Sequence, residues 1–209
     1  LPISDGMTPI QGDLDKINAI KDQAGIIETM ADLLGTAYFQ FYVGADIMDS
    51  KMNIFQLHQG GLSLGQKDYY LDTDEATVHI REEYKKHIVR MFQLVGQDEK
   101  QATQSMEAVM EIETRLAKKA FSAVELRNPA ANYHMLTLDE LKKQIPGFDW
   151  DAYLHAVGVN GVTSMNVSQI EPVKEAVAII NELPLEKQKA YFQWKLIGRA
   201  AGCLSDEFV

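Results

Sequence analysis

A chain of 209 residues, 46% hydrophobic and 24% charged, has the size and composition of one globular domain with its own core and is not read as disordered. Twenty Lys and Arg against thirty Asp and Glu leave a net charge of −10, which disfavours nucleic acid and anionic membrane surfaces as partners and points to a protein or a peptide. No window approaches the roughly 18 uncharged apolar residues of a bilayer span; the run from Ala176 to Leu185 is broken by Asn181, Glu182 and Pro184. The sequence begins Leu1-Pro2-Ile3 with neither an initiator Met nor a basic and apolar leader, the start of a processed or excised chain that says nothing about export. Cys203 is alone, so an intrachain disulfide framework is excluded.

In chain order, Leu14, Ile17, Ile20, Ala24, Ile27, Met30 and Leu34 recur at spacings of three and four, which predicts one amphipathic helix from about Asp13 to Leu34. After Gly35, the runs Tyr38 to Val43 and Met52 to Leu57 flank a polar break from Asp46 to Lys51, the pattern of a β-hairpin. The stretch Gln59 to Leu71 holds three glycines, interleaved leucines and paired tyrosines; it suits neither helix nor strand and must be an irregular turn held by specific packing. A helix is expected from Asp72, with Glu75 completing a capping box, to Val95, and a second from Asp98 to Ala120, the two packing antiparallel across Gly96. Asn128-Pro129 breaks the chain, and Thr137 to Glu140 is a capping box for a short helix that Pro146-Gly147 stops. Another short helix covers Trp150 to Val157, Gly158 to Val167 reads as extended, Ser168 to Leu183 as helical, and Pro184 as the first turn of a final helix through Tyr191, Trp194 and Ala201. The fold class is mainly α: a multi-helical single lobe of about seven helices with one small hairpin near residues 38–58, and no repeat or low-complexity linker.

Candidate chemistry is sparse. His79, Glu83 and His87 share one helix face, but about eight residues of rise separate the histidines by roughly 12 Å, too far to share an ion, so a solvated face is expected. His58, His134 and His155 stand apart in sequence and read as structural or surface residues. Among Glu107, Glu111 and Glu113, surface ion pairs with Arg115, Lys118 and Lys119 are expected rather than acid–base work. Cys203 lies in an apolar run without a nearby His and reads as a packing residue; Tyr191, Phe192 and Trp194 read as a core stripe. Of Tyr69 and Tyr70, one is expected to pack inward and the other to present its hydroxyl to a turn carbonyl. The sequon Asn166-Val167-Ser168 carries little weight. No His is followed by Glu, so His-Glu-x-x-His is absent, and there is neither a Gly-x-Ser-x-Gly elbow nor a phosphate loop.

The segment Gln59 to Leu71, with Gln59, Gly61, Leu62, Leu64, Asp68, Tyr69 and Tyr70, resembles the Gln-x-x-Leu-x-Leu-Pro-x-x-Asp-Tyr-Tyr signature of the neprilysin and endothelin-converting-enzyme family of zinc endopeptidases, which includes the bacterial oligopeptidase O type. Phe41 to Asp46 resembles that family's strand before the turn. Arg127, Pro129, Tyr133, Thr137 and Leu138 resemble its Arg-x-Pro and Tyr-x-x-Met-Thr-Leu block, and Tyr191 to Ile197 with Leu204 to Phe208 its Trp-Arg helix (here Trp194-Lys195) and Leu-Ser-x-x-Phe exit. Gly65 replaces the family's usual Pro, leaving a less rigid turn, and Leu136-Thr137 replaces Met-Thr. The resemblance implies that residues 1–209 are a fragment of the N-terminal helical domain, which closes over a catalytic domain absent from this chain and limits access to peptides and small proteins. Zinc, the activated water and the general base would belong to that domain, so no catalytic, cofactor or metal residue is assigned here and the fragment alone should be inactive. The implied partners are peptide substrates and the protein's own C-terminal catalytic domain, and the implied location of the parent is extracytoplasmic, with a cytoplasmic one open. Animal relatives are rich in disulfides, so the lone cysteine favours a bacterial source. The competing expectation is a free-standing helical module that binds peptides or proteins without catalysis. If the lobe rests on a partner domain, an exposed apolar patch is expected.

Overall fold

The computed structural model describes residues 7–204. Its helices are α1 (Gln11–Asn18), α2 (Gln23–Asp32), α3 (Asp68–Leu71), α4 (Glu75–Leu94), α5 (Glu99–Lys119), α6 (Leu138–Gln144), α7 (Trp150–Ala156), α8 (Ile170–Glu182) and α9 (Leu185–Ala200). Four strands, β1 (Phe39–Ala45), β2 (Asn53–Gln59), β3 (Met135–Thr137) and β4 (Ser164–Val167), form one sheet in the order β1-β2-β4-β3. The mainly α class stands, but among the described residues there are nine α-helices rather than about seven, and the hairpin is half of a larger sheet.

The two additional helices have local causes. The predicted helix from Asp13 to Leu34 is two, because Asp22 takes extended backbone and its carboxylate accepts from the Gly25 N–H at 3.0 Å, starting α2 afresh. The second addition is α3, a single turn inside the stretch read as irregular. It also displaces the expected cap: Asp72 ends α3, and Asp74 caps α4 by accepting from Thr77 N at 3.0 Å. Other signals held. Asp98 and Gln101 form a capping box on α5, Thr137 and Glu140 one on α6. Gly96, at φ +97, closes α4 with its own N–H to Gln93 and that of Gln97 to Phe92, a Schellman ending that turns α5 back against α4.

The hairpin pairs Phe39 with Gln59 and Val43 with Phe55, and β2 then runs parallel to β4, Gln56 facing Asn166. Because side chains alternate across a strand, one sheet face carries Phe39, Phe41 and Phe55. They meet Phe148, Trp150 and Tyr153 from α7 and the turn before it, with centroids 4.7 Å (Phe148–Trp150) to 5.6 Å (Phe41–Phe55) apart for the closest pairs. The opposite face carries Gln40, Tyr42, Gln56, His58 and Asn166. The remaining core is helical: α5 packs on α4, α8 and α9, and α8 also touches β1 and β2. Strand β4 falls at the end of the stretch read as extended, Gly158 to Val167, whereas β3, with three residues, is too short to show period two.

Candidate functional site

The signature stretch is held from three sides. Gln59 grips the chain after α5 with both ends of its amide: Oε1 accepts from Phe121 N at 2.6 Å and Nε2 donates to Phe121 O at 3.0 Å. Lys67 Nζ donates to Ala120 O at 3.0 Å. Replacing Gln59 with alanine leaves that buried-side peptide unit unpaired and is expected to lower stability by about 1–3 kcal/mol, read as a shift in urea midpoint at unchanged slope. Gly61 lies at φ +81, and a Cβ there would stand 2.5 Å from the Tyr191 hydroxyl. That hydroxyl donates to Gly61 O at 2.9 Å and accepts from Tyr38 N at 3.1 Å. Tyr38 itself holds φ +63, an unfavourable backbone for an aromatic residue, and is locked by burial and by its own hydroxyl, which donates to Gln188 at 3.1 Å.

Below the turn sits a buried charge. Glu113 on α5 is 0% exposed. Its Oε1 accepts from Ser63 Oγ at 2.6 Å and Lys195 Nζ at 3.0 Å, and its Oε2 accepts from Tyr70 at 2.7 Å and Tyr84 at 2.8 Å. Trp194 Nε1 donates to Ser63 Oγ at 3.0 Å and Tyr84 Oη at 2.9 Å, and the Tyr70 oxygen accepts from Leu64 N at 3.0 Å. Burial first, and then the Glu113 charge, push the Tyr70 and Tyr84 hydroxyls far above their ordinary pKa, so both stay protonated donors. The expectation of a surface role for Glu113 is therefore wrong: an exposed-looking Glu spacing on α5 meets a lysine 82 residues later in sequence. The pairing expected for the neighbours also differs, since Arg115 bridges Glu175 at 2.7 Å and Glu182 at 2.9 Å, and Glu111 pairs with Lys187.

The two tyrosines divide otherwise than expected. Tyr70 is the inward one and also the one whose hydroxyl is used, on a carboxylate; Tyr69 is 36% exposed and offers its carbonyl to Arg81. Leu62 and Leu64 pack against the core, and exposed Asp68 opens α3. Gly65 has φ +81 with nothing near its missing Cβ; proline is confined to φ near −65°, so this turn is shaped differently here from one carrying Pro, beyond any change in rigidity. Trp194 is core, 5% exposed.

The other signature segments meet elsewhere. Asn128 caps the 3-10 turn that Pro129 begins, and Arg127 is exposed at the end of the preceding one. Tyr133 donates to Asp46 at 3.0 Å, tying this block to the hairpin loop. Thr137 is the cap of α6, and Leu138 N donates to Thr163 O at 3.1 Å. Asn166 of the sequon is 3% exposed; its Nδ2 donates to Gln56, Asn132 and Ser168, and its Oδ1 accepts from His134 N at 2.7 Å, so a glycan on it is incompatible with this fold.

Among the described residues, no three His, Cys, Asp or Glu side chains converge on a point that could hold a metal ion. His79 and His87 are exposed on α4, with His87 edge-on to Trp194 at 5.8 Å, and Glu83 pairs with Lys86. His134 Nδ1 lies 3.1 Å from Val167 O, and His155 is exposed on α7. The Cys203 side chain and residues 205–208 of the exit lie outside the described residues. These side chains do not fit a zinc site, and no chemical step is assigned to them.

Three concavities stand out among the described residues. One of about 690 Å³ lies among α1, α5 and α9, where polar side chains bond one another, as in Ser105 to Gln97, Gln193 to Asn18 and Lys187 to Glu111; one of about 480 Å³ lies between α1, α2 and the end of α9. The third, about 390 Å³, lies beside the signature turn over the polar sheet face. In its wall His58 stacks on Tyr42, centroids 4.9 Å apart and planes at 16°. His58 Nε2 is buried with no hydrogen-bond partner, a standing cost of about 1–3 kcal/mol for such a group. Burial pushes the imidazole below its ordinary pKa, so it is neutral at pH 7. The reading of His58 as a structural or surface residue gave no sign of this stack or of the unpaired nitrogen, because only the pairing of Gln40 with His58 and of Tyr42 with Gln56 brings the two rings to one face.

Comparison with known proteins accounts for the convergent segments. Residues 3–209 match the model of the N-terminal part of peptidase family M13. The chain belongs to this metallopeptidase family. Rat endothelin-converting enzyme 1 is 28% identical over 176 residues, which are 82% of this chain and 23% of that protein. The zinc metalloprotease Zmp1 of Mycobacterium tuberculosis, solved in an open state, superposes with a TM-score of 0.90 at 25% identity over 98% of this chain and 32% of that one. PepO from Lactobacillus rhamnosis shares the fold, with a TM-score of 0.72 at 17% identity over 98% of this chain and 33% of that one. The chain of M13 type thus spans about a quarter to a third of the length of these relatives.

Proposed function

We propose that this chain is the N-terminal lobe of a neprilysin-like zinc metalloendopeptidase and limits which peptides reach a catalytic domain outside residues 1–209. The observation that carries the reading is the family match over residues 3–209 together with the 0.90 superposition on a third of a zinc metalloprotease. The open state recorded for that protease supports a lobe that moves relative to the catalytic part. Exposed apolar side chains support a resting surface for a second body: Val43, Ile47, Met48 and Met52 of the hairpin are 56% to 74% exposed. On this reading the lobe's own residues shape and rigidify the wall of a chamber, the zinc chemistry belongs to the missing domain, and the enzyme works outside the cytoplasm.

The test is a comparison of two proteins, residues 1–209 and the longer product of the same reading frame. The longer protein is expected to carry His-Glu-x-x-His, bind one zinc and cleave a quenched fluorescent peptide, losing activity to a chelator. Residues 1–209 are expected to do neither. Stoichiometric zinc or turnover in the short chain would sink the proposal, and a frame that stops without those ligands would leave a binding module in its place.

A further inference from the structure

We propose that the cavity of about 390 Å³ beside the signature turn is a receptor for an uncharged aromatic side chain of a peptide, with His58 as the group that recognises a hydroxyl on it. This rests on the reading of the chain as a peptidase lobe for its ligand class, and on the cavity for everything else.

In a chain that is 24% charged with a net charge of −10, no Asp, Glu, Lys or Arg lines this cavity. Ionic ligands therefore find no counter-charge in it, and desolvating them there is unfavourable. Apolar surface comes from Leu62, Leu116, Leu126 and Pro172, and flat π surface from Tyr42. Gln40, Gln59 and Gln169 add neutral polar surface, with the Gln59 and Gln169 amides already engaged by Phe121, Gln59 N and Asn132; the volume falls within the range of about 300–1,000 Å³ in which small-ligand pockets occur. The walls are well fixed, because the turn is gripped by Gln59 and Tyr191, while Gln169 accepts from Gln59 N at 2.9 Å and donates to Asn132. A fixed wall lowers the ordering entropy that binding must overcome. Tyr42 is the movable part, 47% exposed on edge strand β1. A phenol stacked on the imidazole, as Tyr42 is, holds its hydroxyl outside the ring plane and leaves Nε2 unpaired; when Tyr42 swings outward, an aromatic side chain entering edge-on brings its hydroxyl into that plane and satisfies Nε2.

The probe is N-acetyl-tyrosinamide, titrated into residues 1–209 and followed by amide shifts. We expect saturable shifts at Gly60, Gly61 and Gly65 with a dissociation constant on the order of 1 mM, given so few ligand atoms. N-acetyl-phenylalaninamide should bind roughly fivefold more weakly, the size of one neutral hydrogen bond, and the acetylated amides of lysine and aspartate should not bind. His58→Phe should abolish the preference for tyrosine but keep binding, and Leu126→Asp, at a rim residue 43% exposed, should remove binding of both with the urea midpoint unchanged. Shifts that fail to saturate, equal response to charged amides, or a tyrosine preference that survives His58→Phe would overturn the proposal. If the longer protein is an active peptidase but the cavity does not respond, this inference fails alone; if the cavity binds and the longer protein lacks zinc ligands, the peptidase reading fails alone.

Discussion

Replacing Glu113 with alanine is expected to lower the stability of residues 1–209 by about 3–5 kcal/mol, the usual result of removing one member of a buried ion pair. The ammonium of Lys195, 8% exposed, would keep only Ser63 as a polar partner, and the Tyr70 and Tyr84 hydroxyls would lose their shared acceptor. Five groups from four chain segments meet on this carboxylate, so the loss is not one contact but the joint between α4, α5, α9 and the signature turn. Urea unfolding at pH 7 measures it, and hydrogen exchange localises it: the Leu64 amide, bonded to Tyr70, should lose protection before the amides in the middle of α8. A loss below about 1 kcal/mol would mean that water replaces the carboxylate and that the joint is not organised around it. Removing Lys195 as well, as Glu113→Leu with Lys195→Met, should recover part of the loss, since the uncompensated charge goes, but the hydroxyls of Ser63, Tyr70 and Tyr84 still lack the carboxylate that accepted their protons.

Gly61→Ala should be nearly as damaging, at about 2–5 kcal/mol, from two additive causes. An L-residue at φ +81 is disfavoured by about 1–2 kcal/mol, and the new methyl would lie 2.5 Å from the Tyr191 oxygen and 2.8 Å from Leu116 Cδ1, an overpacking penalty of about 1–3 kcal/mol. Gly65→Ala is the control within the same turn. It has the same φ of +81 with no atom within 4 Å of the added methyl, so only the backbone penalty of about 1–2 kcal/mol applies. Denaturant midpoints of the two variants separate the causes, and equal losses would show that packing around Gly61 yields easily. Because the Tyr191 hydroxyl also holds Tyr38 N, Gly61→Ala should additionally speed exchange of the Tyr38 amide, an effect Gly65→Ala should not have.

How far such features could be read in the sequence depended on the range of the interaction. Caps at Asp98 and Thr137 and the Gly96 ending are decided within a few residues, and the presence of the hairpin by two runs flanking one polar break; each was legible because the partners lie in one window. The cap at Asp22 was just as local but was overridden by the apolar periodicity from Leu14 to Met30, which α1 and α2 share in burying one side against the same core; Leu34, read as part of that stripe, lies beyond α2 at φ +52 and is 65% exposed. Glu113 could not be read, because its spacing on α5 matches a solvated face and its partner Lys195 carries no mark that distinguishes it from a surface lysine. The His58 cavity could not be read either, since none of its walls is complete before β1 and β2 pair and the ends of α5 and α8 close over them.

By itself, then, the sequence determined the helical class, most element boundaries and, through the run from Gln59 to Tyr70, membership of peptidase family M13. These follow from propensities, caps and a motif, all carried by neighbouring residues. Only the tertiary structure decided what the motif is for: its glycine makes room for Tyr191, its glutamine clamps Phe121, and its second tyrosine serves a buried carboxylate. The physical reason is that burial, and hence the strength of a charge or an unpaired nitrogen, is a property of the assembled layers and has no local signature in the chain.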